Sequence, residues 1–150
     1  MSVVEPATGG VPSKVGVAIA RFNAVITRPL AEGAIEVFER SGVETIVRVE
    51  VAGALELPLA ALRLFESGCE GVVAVGAVIK GETDHYRIVA DESARGLGNV
   101  ALQFGRPVGN AVLTVKKFEQ AVERSLPGPA NKGREAAEAV LEAHKNLESI

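Results

Sequence analysis

The chain is predicted to fold as an α/β protein with a four-stranded parallel sheet flanked by helices in three layers. Two short runs, Val15 to Ala20 and Val72 to Ile79, are almost wholly apolar, as strands buried on both faces must be. The segments that follow them repeat their apolar residues at helical spacing. Glycine and proline punctuate the changes of period, and strand and helix alternate along the whole chain, the pattern of right-handed βαβ units. A flavodoxin-like arrangement is the natural solution.

Each element has its own local warrant. Residues 1–14 carry Pro6, Gly9, Gly10 and Pro12 without any period, so they read as an N-terminal arm preceding a domain at 15–150. After the first strand, Ile26, Leu30, Ala34, Val37 and Phe38 fall on one helical face, and Gly42 is placed to end that helix. Thr45, Val47, Val49 and Val51 alternate as a second strand. Pro58 then suits the first turn of a helix over Leu59 to Ser67, with Gly68 and Gly71 bracketing its exit. The third strand leads to a helix at His85 to Phe104, and Pro107 to Val115 reads as the fourth strand. Lys117 to Ser125 and a stretch from about Asn131 complete the chain as two helices, the second with Ala137, Val140, Leu141 and His144 at helical spacing.

Composition narrows the function. The chain has 150 residues, a formal charge of −3 and no extended basic block, which argues against a nucleic-acid partner. Its longest run of apolar residues and glycine, Gly71 to Ile79, falls far short of the ~18 residues that cross a bilayer. No basic and apolar leader opens the chain, so the cytoplasm is the expected compartment and no membrane association is expected. One cysteine, Cys69, cannot form an internal disulfide, and two histidines show no clustered ligand spacing, so no metal is expected. A mean hydropathy of +0.22 with 4% aromatic residues suggests that some aliphatic surface is covered by other subunits.

In a parallel α/β sheet, ligands collect beyond the carboxyl ends of the strands. The first strand ends in Arg21-Phe22-Asn23, the second in Gly53-Ala54-Leu55-Glu56-Leu57-Pro58, and the third in Lys80-Gly81-Glu82-Thr83-Asp84-His85-Tyr86. Phe22 is either a core-edge aromatic or a flat face for a heteroaromatic ring. Glu56, just before a proline-started helix, reads first as a helix cap and second as an acceptor for hydroxyl or ring N–H groups. Gly81, Glu82 and Thr83 lead into a helix N-terminus able to hold a phosphate beside Lys80, although no Walker pattern is present. His85 stands at the same strand end, as a general acid/base or as a structural histidine. His144, among Glu and Lys, reads as part of a solvated face, and Cys69 as inert packing. Arg124 closes a helix just before a loop and is free to reach a neighbouring subunit.

Taken together the segments resemble the lumazine synthase family from about Val15 to Leu141. The resemblance rests on ARFNAVIT at 20–27, GALELP at 53–58, GAVIKGETDHYRIV at 76–89, PV and VLT within 107–114, EQAVERS at 119–125 and NKG at 131–133. It implies a condensation of a ribitylamino-pyrimidine with 3,4-dihydroxy-2-butanone 4-phosphate that needs no metal or organic cofactor. It also implies that Phe22 stacks on the pyrimidine, that Ala54, Leu55 and Glu56 hold ring and ribityl chain, and that Ala77, Val78 and Ile79 complete that pocket. Glu82 and Thr83 would contact the phosphate-bearing substrate and His85 would move protons. Arg124 and Asn110 would come from an adjacent subunit of a homopentamer. Four positions depart from the commonest family pattern: Ala52, Leu55, Asn110 and Arg87, the last placing a cation two residues from His85, where it can lower that histidine's basicity. Two other classes share the predicted fold. A binding protein would hold a lumazine or flavin without forming it, and a receiver domain would need acidic residues where Arg21-Phe22-Asn23 stands.

Overall fold

A computed structural model describes all 150 residues. Four parallel strands, β1 (Lys14–Ala20), β2 (Thr45–Val51), β3 (Gly71–Ile79) and β4 (Val108–Val115), pair in the order β2-β1-β3-β4. Five α-helices follow them: α1 (Ala24–Arg40), α2 (Leu57–Glu66), α3 (His85–Phe104), α4 (Phe118–Ser125) and α5 (Lys132–Leu147). The predicted class, a three-layer α/β fold, is the one observed. Several boundaries move by a residue or two: Lys14, expected in the arm, opens β1, and α4 begins at Phe118 rather than Lys117. A 3-10 turn at Ala54–Glu56 starts α2 two residues before the expected Leu59, and Pro107 lies outside β4, which begins at Val108.

Strand periodicity divides the core into two layers. Val15, Val17 and Ile19 of β1, with Val73, Val75 and Ala77 of β3, face the layer shared with α1 and α5. Ala18 and Ala20 of β1, with Val72, Ala74 and Val78 of β3, face the layer shared with α2 and α3. Burial on both sides is why these strands read as continuous apolar runs rather than alternating ones.

Helices α1 and α5 approach closely because their contact carries glycine. A Cβ at Gly133 would collide with the Leu30 carbonyl, and one at Gly33 with the Asn131 side chain. Asn131 is 1% exposed and pins the junction. Its Oδ1 accepts from Arg134 N at 3.0 Å, capping α5, while its Nδ2 donates to Ser125 O at 2.9 Å and Pro29 O at 3.2 Å.

His144 departs from the sequence expectation. It is buried, at 8% exposure, because it continues the inward stripe of Gly133, Ala137, Val140 and Leu141 on α5. The charged residues around it occupy the other face of the helix.

Asn131→Ala removes the α5 cap and strands two buried carbonyls, a loss of about 1–3 kcal/mol for the unpaired groups with about 1 kcal/mol more for the cap. Asn131→Asp keeps the cap acceptor and is expected to fall between. Urea unfolding at fixed protein concentration measures both, and equal stability for all three proteins would refute the pinning role.

Candidate active site at the carboxyl ends of the strands

The ends of β1, β2 and β3 open into a cavity of about 500 Å³. Between β1 and β3 the chain order reverses, which leaves a crevice between the loops that follow them. Asn23 shapes the first of these loops. Its backbone is left-handed, at φ 62°, a conformation that asparagine tolerates better than most residues, and its Nδ2 donates to Ala77 O at 3.1 Å. Phe22 N donates to Ala52 O at 3.1 Å and Arg21 N to Val51 O at 2.8 Å, so the loop continues the ladder with β2 before turning into α1. The Phe22 ring is left 72% exposed on the cavity rim, which removes the core-edge reading.

Ala54, Leu55 and Glu56 form the opposite wall, and Ala77, Val78 and Ile79 form the floor. Glu56 does act as a local cap: Oε1 accepts from Gly53 N at 2.9 Å, and Glu56 N donates back to Gly53 O at 3.2 Å. That reciprocal pair fixes the carboxylate at the cavity mouth with Oε2 left over. The third edge is the entry to α3. His85 and Thr83 both face the cavity, and His85 N donates to Thr83 Oγ1 at 3.3 Å. The N–H groups of Gly81, Glu82, Thr83 and Asp84 make no hydrogen bond within the chain. A row of free donors at the start of a 20-residue helix is a ready anion site.

Three of the sequence candidates lie off this cavity. Glu82 is exposed and does not line it. Asn110 sits on the outward edge of β4, where its Oδ1 accepts from Val112 N at 2.9 Å. Arg124, in the last turn of α4, donates from Nη1 to Gln120 O at 2.9 Å.

Gly81 of the expected phosphate loop lines the cavity, and the lining residues to which the sequence reading gave no role are Ala20, Ala52, Gly53, Tyr86 and Val89. Most are small or aliphatic and carry no chemical signal. Tyr86 does carry one. The neighbouring Arg87 guanidinium holds the phenol below its ordinary value, and Lys80 and Lys116 act in the same direction. Arg87 is thus engaged by Tyr86, with Asp91 also nearby. Cys69 is buried and burial pushes its thiol up, in keeping with inert packing.

The fold and this cavity define a three-layer α/β protein whose strand-end cavity sets an aromatic rim beside a helix start with unpaired N–H groups. A profile of 6,7-dimethyl-8-ribityllumazine synthase matches residues 12–148, and the chain belongs to that family. It is accordingly a transferase of riboflavin biosynthesis, condensing 5-amino-6-(D-ribitylamino)uracil with 3,4-dihydroxy-2-butanone 4-phosphate. The reaction proceeds through a Schiff base, elimination of phosphate and ring closure.

Tyr86 is the chain's one tyrosine and there is no tryptophan, so near-ultraviolet phenolate absorbance reports this residue alone. Its midpoint is expected below the ordinary value of about 10, and Arg87→Ala should move it up, because removing the cation disfavours the phenolate. A midpoint unmoved by Arg87→Ala would contradict the pairing.

Proposed function

We propose that the condensation takes place in the strand-end cavity, with the pyrimidine stacked on Phe22 and the phosphate of the four-carbon substrate at the start of α3. The observation that carries this reading is the shared rim: an exposed aromatic, a fixed carboxylate, the free N–H groups of Gly81 and Thr83, and His85 around one cavity. Ala54, Leu55 and Glu56 hold the ring and ribityl chain, and Ala77, Val78 and Ile79 back the ring. Thr83, with Glu82 beside it, contacts the phosphate-bearing substrate.

His85 moves the protons. The amine of the pyrimidine attacks the ketone, water leaves as the imine forms, phosphate departs, and the second nitrogen closes the ring with loss of water. Each step needs a proton delivered or withdrawn next to the α3 start, where a base on a helix end is well placed. Both reactants bring their own reactive groups, so no cofactor is invoked and holding them together supplies much of the acceleration.

The same reading includes a homopentamer with a shared site. Arg124 and Asn110 lie away from their own subunit's cavity, on outward surfaces from which an adjacent subunit's cavity can be completed. Helix α3 buries only Ser93, Leu97 and Val100 and leaves Ile88 and Leu102 exposed, surface that further subunits would cover. The N-terminal arm forms no strand, and its Pro6 and Pro12 weigh against its adding one to a neighbour's sheet, so free or loosely paired pentamers are favoured over a sixty-subunit shell. No helix is long and apolar enough to cross a membrane, and the proposed compartment is the cytoplasm.

His85→Ala is expected to lower turnover by about 10²-fold while substrate binding is largely kept, whereas Phe22→Ala should raise KM for the pyrimidine. Steady-state formation of the lumazine chromophore measures both, and an unchanged rate for His85→Ala would remove the histidine from proton transfer. In sedimentation, a pentamer should dominate. A dominant monomer would overturn the shared site, and a dominant sixty-subunit particle would show that the arm prolines do not prevent shell assembly.

A further inference from the structure

At the other end of β3, roughly 26 Å from the cavity along its nine residues, lies a second group of chemistry-bearing side chains. Glu70 enters β3, His144 stands in the last turns of α5, and Glu148 is the C-cap of that helix. His144 Nε2 is 3.4 Å from Glu148 Oε2 and 3.9 Å from Glu70 Oε2, and the three donor atoms lie within 4.8 Å of one another. Both distances exceed the 2.7–3.2 Å of an ordinary N–H···O bond. The imidazole is more than nine-tenths buried, makes no hydrogen bond of ordinary geometry within the chain, and lines a cavity beside the two carboxylates. Its nitrogen is aimed between two anions.

Glu70 is held in the way a ligand is held. Its Oε1 accepts from Ser13 N and Ser13 Oγ, both at 2.8 Å, which leaves Oε2 to face the histidine. Such orienting bonds are the usual outer shell of a metal-ligating carboxylate. A cavity of about 540 Å³ lined by the same three residues leaves room for water. Arg106, the cation on its wall, donates to Cys69 O at 2.7 Å.

We propose that Glu70, His144 and Glu148 bind a divalent transition-metal ion of the zinc type, with water as the fourth ligand. A tetrahedral ion with bonds of about 2.0–2.1 Å spaces its ligands about 3.3 Å apart, so the observed separations close by small side-chain movements. One imidazole with two carboxylates suits zinc and its first-row neighbours. The role is structural. The ion would clasp the end of α5 to the entry of β3, and it would also secure the arm, whose Gly9 packs against Glu148 and donates from N to Lys145 O at 2.7 Å.

Titration of the chelator-stripped full chain with Co²⁺ alone tests this. About one Co²⁺ per chain should bind with the intense visible absorption of tetrahedral coordination, and Zn²⁺ should displace it. His144→Ala should abolish the signal, and Glu148→Gln, at an exposed helix end, should do so without threatening the fold. Ser13→Ala should weaken binding by about 10–100-fold, as loss of an orienting partner does. The rate of lumazine formation should be the same in Glu148→Gln as in the parent protein. Absence of binding, or a stoichiometry and spectrum unchanged in Glu148→Gln, overturns the site.

Discussion

Strands β1 and β3 are buried on both faces, so every N–H and C=O along them has to be paired within the sheet. The ladders can satisfy that demand only as far as the strands run together. At their carboxyl ends the obligation passes to the loops, which answer it one group at a time. Asn23 takes the Ala77 carbonyl, Phe22 the Ala52 carbonyl, Arg21 the Val51 carbonyl and Lys80 the Val115 carbonyl. The polar, conformationally constrained residues of the molecule are therefore concentrated on one rim by the needs of the apolar sheet. The cavity is a by-product of that concentration.

The two helical layers have different characters. On the α1 and α5 side, Gly133 allows near backbone contact and Asn131 bonds three separate segments, which makes a dense, closed face. On the other side α3 commits three of its twenty residues to the core. A subunit built this way is finished on one face and unfinished on the other. The site lies at the border between them, because α3 begins with His85 at the cavity and then runs out across the open face.

Most of the fold was legible because a buried parallel strand has so few ways of being written: uniform apolar runs, then helical period, then glycine. Phe22, Glu56, Thr83 and His85 were legible because polar or aromatic residues at strand ends have no packing reason to be there. What was hidden had its causes in three dimensions. Tyr86 looked like an ordinary neighbour of His85, and only the fold places it on the cavity lining beside the Arg87, Lys80 and Lys116 cations that lower its phenol. His144 sat among charged residues in sequence, although its spacing from Val140 and Leu141 carried the correct answer. Its meeting with Glu70 joins positions 74 residues apart (144 minus 70), brought together by α5 lying across the start of β3, and no local pattern could reveal it.

The arm and the end of α5 have a topological consequence. Ser149 Oγ donates to Ala7 O at 2.5 Å and Gly9 N to Lys145 O, so the arm at residues 7–9 and the end of α5 meet at the pole remote from the cavity. Segments that already touch can be joined there by a short covalent link with little cost to the open sheet and its helices. A group attached at that junction would stand at the pole opposite the cavity. The connectivity of the polypeptide and the location of its chemistry are thus independent variables in this architecture, and either can be re-engineered while the other is held fixed.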